Sequence, residues 1–163
     1  MENITLLGMP GAGKSTIGVL LAKALGYDFL DTDLSIQNKE GMLLRQLIAK
    51  KGLAEFKRIE EEVNASVVAN HTVIAPGGSV IYGEKAMKHL CSISKVVYLD
   101  VSFEELEKRL GNLKKRGVVF ENGQTLLDLY EERVPLYQKY AHVSVKTDGL
   151  EIGEVLEKVL QNI

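Results

Sequence analysis

Apolar residues fall along this chain in short runs separated by longer stretches of helical periodicity. Ile4-Thr5-Leu6-Leu7, Tyr27-Asp28-Phe29-Leu30-Asp31, Val73-Ile74-Ala75, Val96-Val97-Tyr98-Leu99-Asp100 and His142-Val143-Ser144-Val145 read as strands. Between and after them, apolar positions recur at three and four residues, as on one face of a helix. The clearest such sets are Ile17, Leu20, Leu21, Ala24 and Leu25; Leu53, Phe56, Ile59, Val63 and Val67; and Ile152, Val155, Leu156, Val159, Leu160 and Ile163. Strand–helix alternation predicts an α/β fold in three layers, a five-stranded parallel sheet with helices on both faces. Right-handed crossovers follow. In such folds ligands sit beyond the carboxyl ends of the strands, so chemistry is expected in the residues just after each run.

Those residues are informative. After the first run comes Gly8-Met9-Pro10-Gly11-Ala12-Gly13-Lys14-Ser15-Thr16, which meets the phosphate-loop pattern G-x-x-x-x-G-K-[ST] at every fixed position. Glycines let the backbone wrap an anion with successive N–H groups turned inward, and the helix that follows adds its positive end. Gly11, Ala12, Gly13, Lys14, Ser15 and Thr16 are therefore the expected nucleotide-binding residues. Lys14 would reach the outer phosphates and Ser15 would coordinate Mg²⁺. The chain is expected to bind a nucleoside triphosphate.

The second run ends in Asp31-Thr32-Asp33. Two carboxylates at one strand end can divide the work of phosphoryl transfer. One holds Mg²⁺ through its water shell, and the other takes the proton of an attacking hydroxyl. The pattern alone leaves a second reading open, in which Asp33 caps a helix beginning at Leu34.

The 163 residues suit a single domain with a real core. With 45% hydrophobic and 26% charged residues and a net charge of −2, there is no basic field to attract nucleic acid. A single cysteine, Cys91, excludes an intramolecular disulfide framework and suits a reducing compartment. A buried, inert thiol is expected there. No apolar run reaches membrane-span length, and the first strand begins too early to leave room for a signal peptide. A cytoplasmic protein, monomeric and without membrane contact, is the expectation.

Two segments interrupt the alternation. Residues 34–52 are polar, then helical, broken by Gly41 and Gly52; residues 111–123 are basic and bounded by glycines. Basic glycine-bounded loops of that length commonly serve as lids.

The loop GAGKST, the strand end Phe29-Leu30-Asp31-Thr32-Asp33, and Arg133-Val134-Pro135-Leu136-Tyr137 together resemble the shikimate kinase family of nucleoside-monophosphate-kinase-like P-loop proteins. The likeness runs nearly end to end. It implies one kinase domain over 1–163, with an acceptor-binding segment over about 34–60 and a lid over about 111–123. It further implies ATP and Mg²⁺ as cofactors and shikimate, or a related small hydroxy acid, as acceptor in aromatic amino acid biosynthesis. By matching position, Lys14 would neutralise the transferring phosphate, Ser15 and Asp31 would hold Mg²⁺, and Asp33 would bind the acceptor hydroxyls and act as base. Gly77 and Gly78 would offer backbone N–H groups, and Arg133 would grip the acceptor carboxylate. Arg109 and Arg116 match the family's nucleotide-contacting arginines, with Arg116 at the phosphates during transfer. Plainer roles are open for Arg109, which can pair with Glu105 one turn back, and for Tyr130 and Tyr137 as packing residues.

The chain departs from the family pattern at four places, three of them on the acceptor side. Lys57 stands where arginine is expected, Leu53 where glutamate is, and Ser79 replaces the last of three glycines; in the lid, Gly117 replaces proline. Lysine offers a flexible point charge where arginine offers a two-pronged clamp. Arg58, about 100° further round the helix, cannot substitute. Losing such a clamp costs on the order of 1–3 kcal/mol of acceptor binding. A shikimate kinase, a kinase of another small hydroxy acid, a nucleoside monophosphate kinase and an idle binding module are the readings to separate. A GTPase is disfavoured, because the closest string to its N-K-x-D signature, Asn38-Lys39-Glu40-Gly41, lacks the aspartate.

Overall fold

The structure, a computed structural model, describes residues 3–110 and 123–163. The predicted lid, with Arg116 and Gly117, lies outside the described residues apart from Gly123.

Five parallel strands form one sheet in the order β2-β3-β1-β4-β5. They are β1 (Asn3–Leu7), β2 (Asp28–Asp31), β3 (Thr72–Ala75), β4 (Ser94–Asp100) and β5 (Val143–Lys146). Each predicted strand is present, with ends moved by one or two residues. Central β1 is buried along its whole length, as a strand flanked on both edges and covered on both faces must be. Edge strand β5 exposes Ser144 and Lys146 and buries Val145. In register, Ile4 and Thr5 of β1 face Val73 and Ile74 of β3, while Leu6 and Leu7 face Val97 and Tyr98 of β4.

The main core joins both faces of the sheet to α1 (Lys14–Leu25), α5 (Glu84–Ile93), α7 (Leu126–Tyr140) and α8 (Ile152–Asn162). The buried face of α1 is Ile17, Gly18, Leu21 and Ala22 rather than the wider stripe expected from its apolar residues, and Ala24 is exposed. The reason is close packing: a Cβ on Gly18 would meet the Phe29 ring at 2.5 Å. In α8, Ile152 is exposed and Val155 and Val159 carry the burial.

The segment that interrupts the pattern is mostly helical. α2 (Thr32–Glu40) and α3 (Leu44–Lys51) are separated at Gly41, and Gly52 divides α3 from α4 (Leu53–Ala65). These helices share a small apolar cluster of their own, Ile36, Leu47, Phe56 and Ile59, distinct from the main core. α6 (Phe103–Arg109) follows β4. Among the described residues, no helix is long and apolar enough to cross a membrane.

Strand order sets the site. β1 lies between β3 and β4, so its following loop is flanked on one side by the loops after β3 and β2, and on the other by those after β4 and β5.

Candidate active site

The loop after β1 turns through Gly11 and Gly13, both left-handed at φ 82° and 94°, a conformation that L side chains rarely tolerate. Gly13 opens α1 without a side-chain cap. The first N–H groups of that helix, which have no acceptor within it, therefore remain available at the loop. Lys14 folds over the loop and donates to the carbonyls of Gly8 and Met9 at 2.7 and 2.9 Å. Burial pulls its pKa down to about 8, against the nearby Asp33 carboxylate and with help from Arg133.

Beside the loop opens a cavity of about 370 Å³. Lys14, Ser15, Asp31, Asp33, Glu60 and Arg133 bring charge and hydroxyl to its wall, together with Gly77, Gly78 and Ser79. Six elements converge here. Asp31 ends β2, and its Oδ1 accepts the N–H of Asp33 at 2.9 Å and that of Leu34 at 3.4 Å. Asp31, not Asp33, is thus the cap of α2, because the helix starts at Thr32 directly on the strand end. Asp33 is released for other work. Its Oδ1 is buried without a hydrogen-bond partner among the described residues. Burial, reinforced by Asp31 and opposed by Lys14, raises the Asp33 pKa to about 6.

The glycine pair after β3 is needed for closeness. A Cβ on Gly77 would lie 2.7 Å from Asp33 Oδ1, and one on Gly78 would meet Arg133 at 3.0 Å and the Tyr137 hydroxyl at 3.1 Å. The next residue, Ser79, tolerates its side chain by using it. Its hydroxyl donates to both carboxylate oxygens of Glu60 at 2.8 Å. Glu60 is buried, and desolvation lifts its pKa to about 7 despite that bond.

Arg133 is 1% exposed on α7, beside Pro135. That burial takes the guanidinium out of bulk solvent. Tyr137, one turn on, stacks on Tyr98 at 5.3 Å and donates to the Gly78 carbonyl at 2.7 Å, so its role is packing and bracing. Tyr130 packs edge-on against Phe103. Lys57 is outside the set that lines the cavity. Its ammonium stands 4.5 Å from the ring centre of Tyr82, on the turn Gly78–Tyr82. Arg58 faces away, pairing with Glu55 and Glu62.

On the other side of the loop lies a second cavity of about 260 Å³, lined by Ala12, Gly13, Thr16, Arg109 and Thr147 among polar-capable positions and by Leu150, Ile152 and Val155 among apolar ones. Arg109 pairs with Glu105 at 3.1 Å and also donates to the Gly11 carbonyl at 3.2 Å. Thr147 Oγ1 is buried there without a partner among the described residues. Cys91 is half-buried with its thiol 3.6 Å from the Tyr140 carbonyl, and burial raises its pKa.

Sequence reasoning assigned no role to Glu60 or Tyr82. For Glu60 a signal existed: it lies four residues after Phe56, a charge on the apolar stripe of α4. For Tyr82 there was none, since its neighbours come from distant parts of the chain.

A glycine loop between strand and helix, its lysine sharing one cavity with a half-buried aspartate and a buried arginine, defines a P-loop phosphotransferase. The family model described as "Shikimate kinase" matches residues 10–163. The shikimate kinase of Thermobifida fusca is 36% identical over 97% of this chain and 92% of its own length, and that of Mycobacterium avium 36% identical over 97% and 91%. The solved structure of the Acinetobacter baumannii shikimate kinase in complex with shikimate superposes with a TM-score of 0.88, at 33% identity over 98% of this chain and 91% of that one. The chain belongs to the shikimate kinase family, ATP-dependent kinases acting on an alcohol group. A gluconokinase from Sinorhizobium meliloti, 18% identical with a TM-score of 0.53, shares the fold alone.

Proposed function

We propose that this chain transfers the γ-phosphoryl group of ATP to a hydroxyl of shikimate. The observation that carries the reading is a single cavity walled by Lys14, the half-buried Asp33 with one carboxylate oxygen fully enclosed, and the buried Arg133 guanidinium. A small acid with several hydroxyls matches that wall at both ends. Arg133 takes the acceptor carboxylate through paired, charge-assisted bonds. Asp33, whose free oxygen faces the Gly77 approach, takes the hydroxyl. With a pKa near 6, Asp33 is largely ionised at neutral pH and basic enough to accept the hydroxyl proton. The Gly78 backbone lies within reach of the same acceptor.

On the donor side, the uncapped start of α1 and Lys14 hold the phosphates, and the second cavity, with Arg109 and Thr147, takes the base. Mg²⁺ fits the donor set, because Ser15 and Asp31 line one cavity and this ion needs only one or two protein oxygens. When bound, it would neutralise charge on the phosphates. Arg116 is the lid cation we assign to the phosphates by position in the sequence. The protein's own contribution is placement and electrostatic stabilisation rather than covalent chemistry.

The test is a coupled assay of ADP release with ATP, Mg²⁺ and shikimate. Other small hydroxy acids, AMP, CMP and UMP serve as competing acceptors. Shikimate-dependent turnover, in the kinase range of about 1–100 s⁻¹, is the expected result. Faster turnover with another hydroxy acid would reassign the acceptor, a possibility to which Lys57 and Ser79 give weight. No acceptor-dependent turnover at millimolar concentrations, with ATP still bound, would sink the reading.

A further inference from the structure

Glu60 is a costly residue to bury. It is 3% exposed on α4, and its carboxyl reaches the wall of the cavity shared by Lys14, Asp33 and Arg133. A carboxyl taken out of water needs hydrogen bonds in place of its hydration. Ser79 supplies one, its hydroxyl donating to both Glu60 oxygens at 2.8 Å. Ser79 is itself 4% exposed and lines the same cavity. A carboxylate carries about four acceptor sites, so one shared hydroxyl leaves part of that capacity open.

The open capacity lies beside Asp33. A Cβ on Gly77 would stand 2.7 Å from Asp33 Oδ1 and 3.2 Å from Glu60 Oε2, so the two oxygens flank one point of the cavity wall. Asp33 Oδ1 is buried without a hydrogen-bond partner among the described residues. Two carboxyl oxygens set on either side of one point suit two hydroxyls on neighbouring carbons. Burial pushes the Glu60 pKa up to about 7 against the Ser79 bond; Asp33 adds to the rise, and Arg133 and Lys57 oppose it. Both forms are therefore present near neutral pH, and each can meet a hydroxyl: the ionised form accepts, the protonated form also donates. Ser79 stands where the family pattern has glycine, which has no hydroxyl to offer, so this anchor belongs to this chain.

We propose that Glu60 binds a second hydroxyl of the acceptor, next to the one that Asp33 takes, and that Ser79 is the positioning residue that holds its carboxyl there. The cavity then selects small acids with hydroxyls on adjacent carbons. The inference rests on the acceptor reading above.

Steady-state kinetics on Glu60→Ala, Glu60→Gln, Ser79→Ala and the double variant Ser79→Ala/Glu60→Ala test it, with melting curves to follow the fold. The acceptors are shikimate and deoxy analogues of it, each lacking one hydroxyl other than the phosphorylated one. For one analogue the wild-type KM should exceed that for shikimate about tenfold. Glu60→Ala should raise the shikimate KM about tenfold and erase that preference, with kcat and the ATP KM within about twofold. Glu60→Gln still accepts and donates and should recover most of the loss. Ser79→Ala should raise the shikimate KM about threefold alone and change nothing in the Glu60→Ala background, because it acts through Glu60. Ser79→Ala removes a single oxygen and keeps the test decisive should Glu60→Ala not fold: a shikimate KM and analogue preference equal to wild type would overturn the proposal. So would a wild type indifferent to every deoxy analogue, a preference that survives Glu60→Ala, or full additivity of the double variant, all of which leave the acceptor reading intact. A wild-type enzyme inert toward shikimate would overturn both.

Discussion

The proposed donor and acceptor sides of this site are built by different means. On the donor side the working groups are mainly backbone: N–H groups at the start of α1 and a loop bent through two left-handed glycines. Nine consecutive residues encode nearly all of it, and one lysine completes it. On the acceptor side the working groups are side chains delivered by β2, α2, α4, the turn after β3, and α7. No local stretch encodes that half. It exists only when the sheet order brings the ends of β2, β3 and β1 together. A backbone cradle recognises any polyphosphate, so it can persist across many kinases. A side-chain wall can be altered one residue at a time, and Lys57 and Ser79 are acceptor-side positions where the sequence departs from the family pattern.

The sharpest way to break that contrast is Asp33→Asn, which keeps the shape of the acceptor wall and removes the proton acceptor we propose. We expect kcat to fall about 10²–10⁴-fold with ATP binding unchanged, measured by turnover beside nucleotide titration. A few-fold loss would mean that chemistry depends on the donor side alone. Next comes Arg133→Lys, which keeps the charge and removes the fork. The acceptor KM should rise about 10–100-fold while the ATP KM holds. Equal changes in both would show that the two halves are not separable.

Gly77→Ala tests closeness rather than chemistry. Its Cβ would stand 2.7 Å from Asp33 Oδ1 and push the carboxylate off position. About tenfold in kcat is expected, read by kinetics with a melting curve to show that the fold survives.

The pH profile should show an acid limb of similar size. Asp33 is raised to about 6, so lowering the pH through that value protonates the base, and kcat/KM at pH 5 should be about a tenth of its plateau. On the alkaline side Lys14, lowered to about 8, loses its proton above that value, and activity should decline there. A flat profile between pH 5 and 7 would remove Asp33 from its role. The smallest effect is on the donor flank. Arg109→Ala breaks a half-exposed pair with Glu105 and one loop contact, and we expect the ATP KM to rise only about two- to fivefold.

The same contrast explains what could be read from the sequence. The five strands and the phosphate loop were legible because their signals are contiguous: apolar runs of strand length and fixed glycine spacing. Asp31 and Asp33 were legible as a pair, but their division of labour was not. Which one caps α2 depends on where the helix begins, and a shift of two residues decides it. Arg133 was visible through family likeness, whereas its burial depended on Tyr82, Tyr137 and Gly78 closing around it. The Ser79–Glu60 bond joins residues 19 apart in sequence, and nothing local announces it. Ser79 looked like a loss from the glycine series and is in fact the partner of a buried acid.

The adjacency of β1 and β3 carries one more consequence. The loop that holds the donor and the loop that approaches the acceptor hang from neighbouring rungs of one ladder, whose spacing is fixed at about 4.8 Å by hydrogen bonds. The span a phosphoryl group must cross is therefore gauged by the stiffest part of the molecule. Drift in the surrounding helices can change which alcohol is welcome without altering how far the phosphate has to travel.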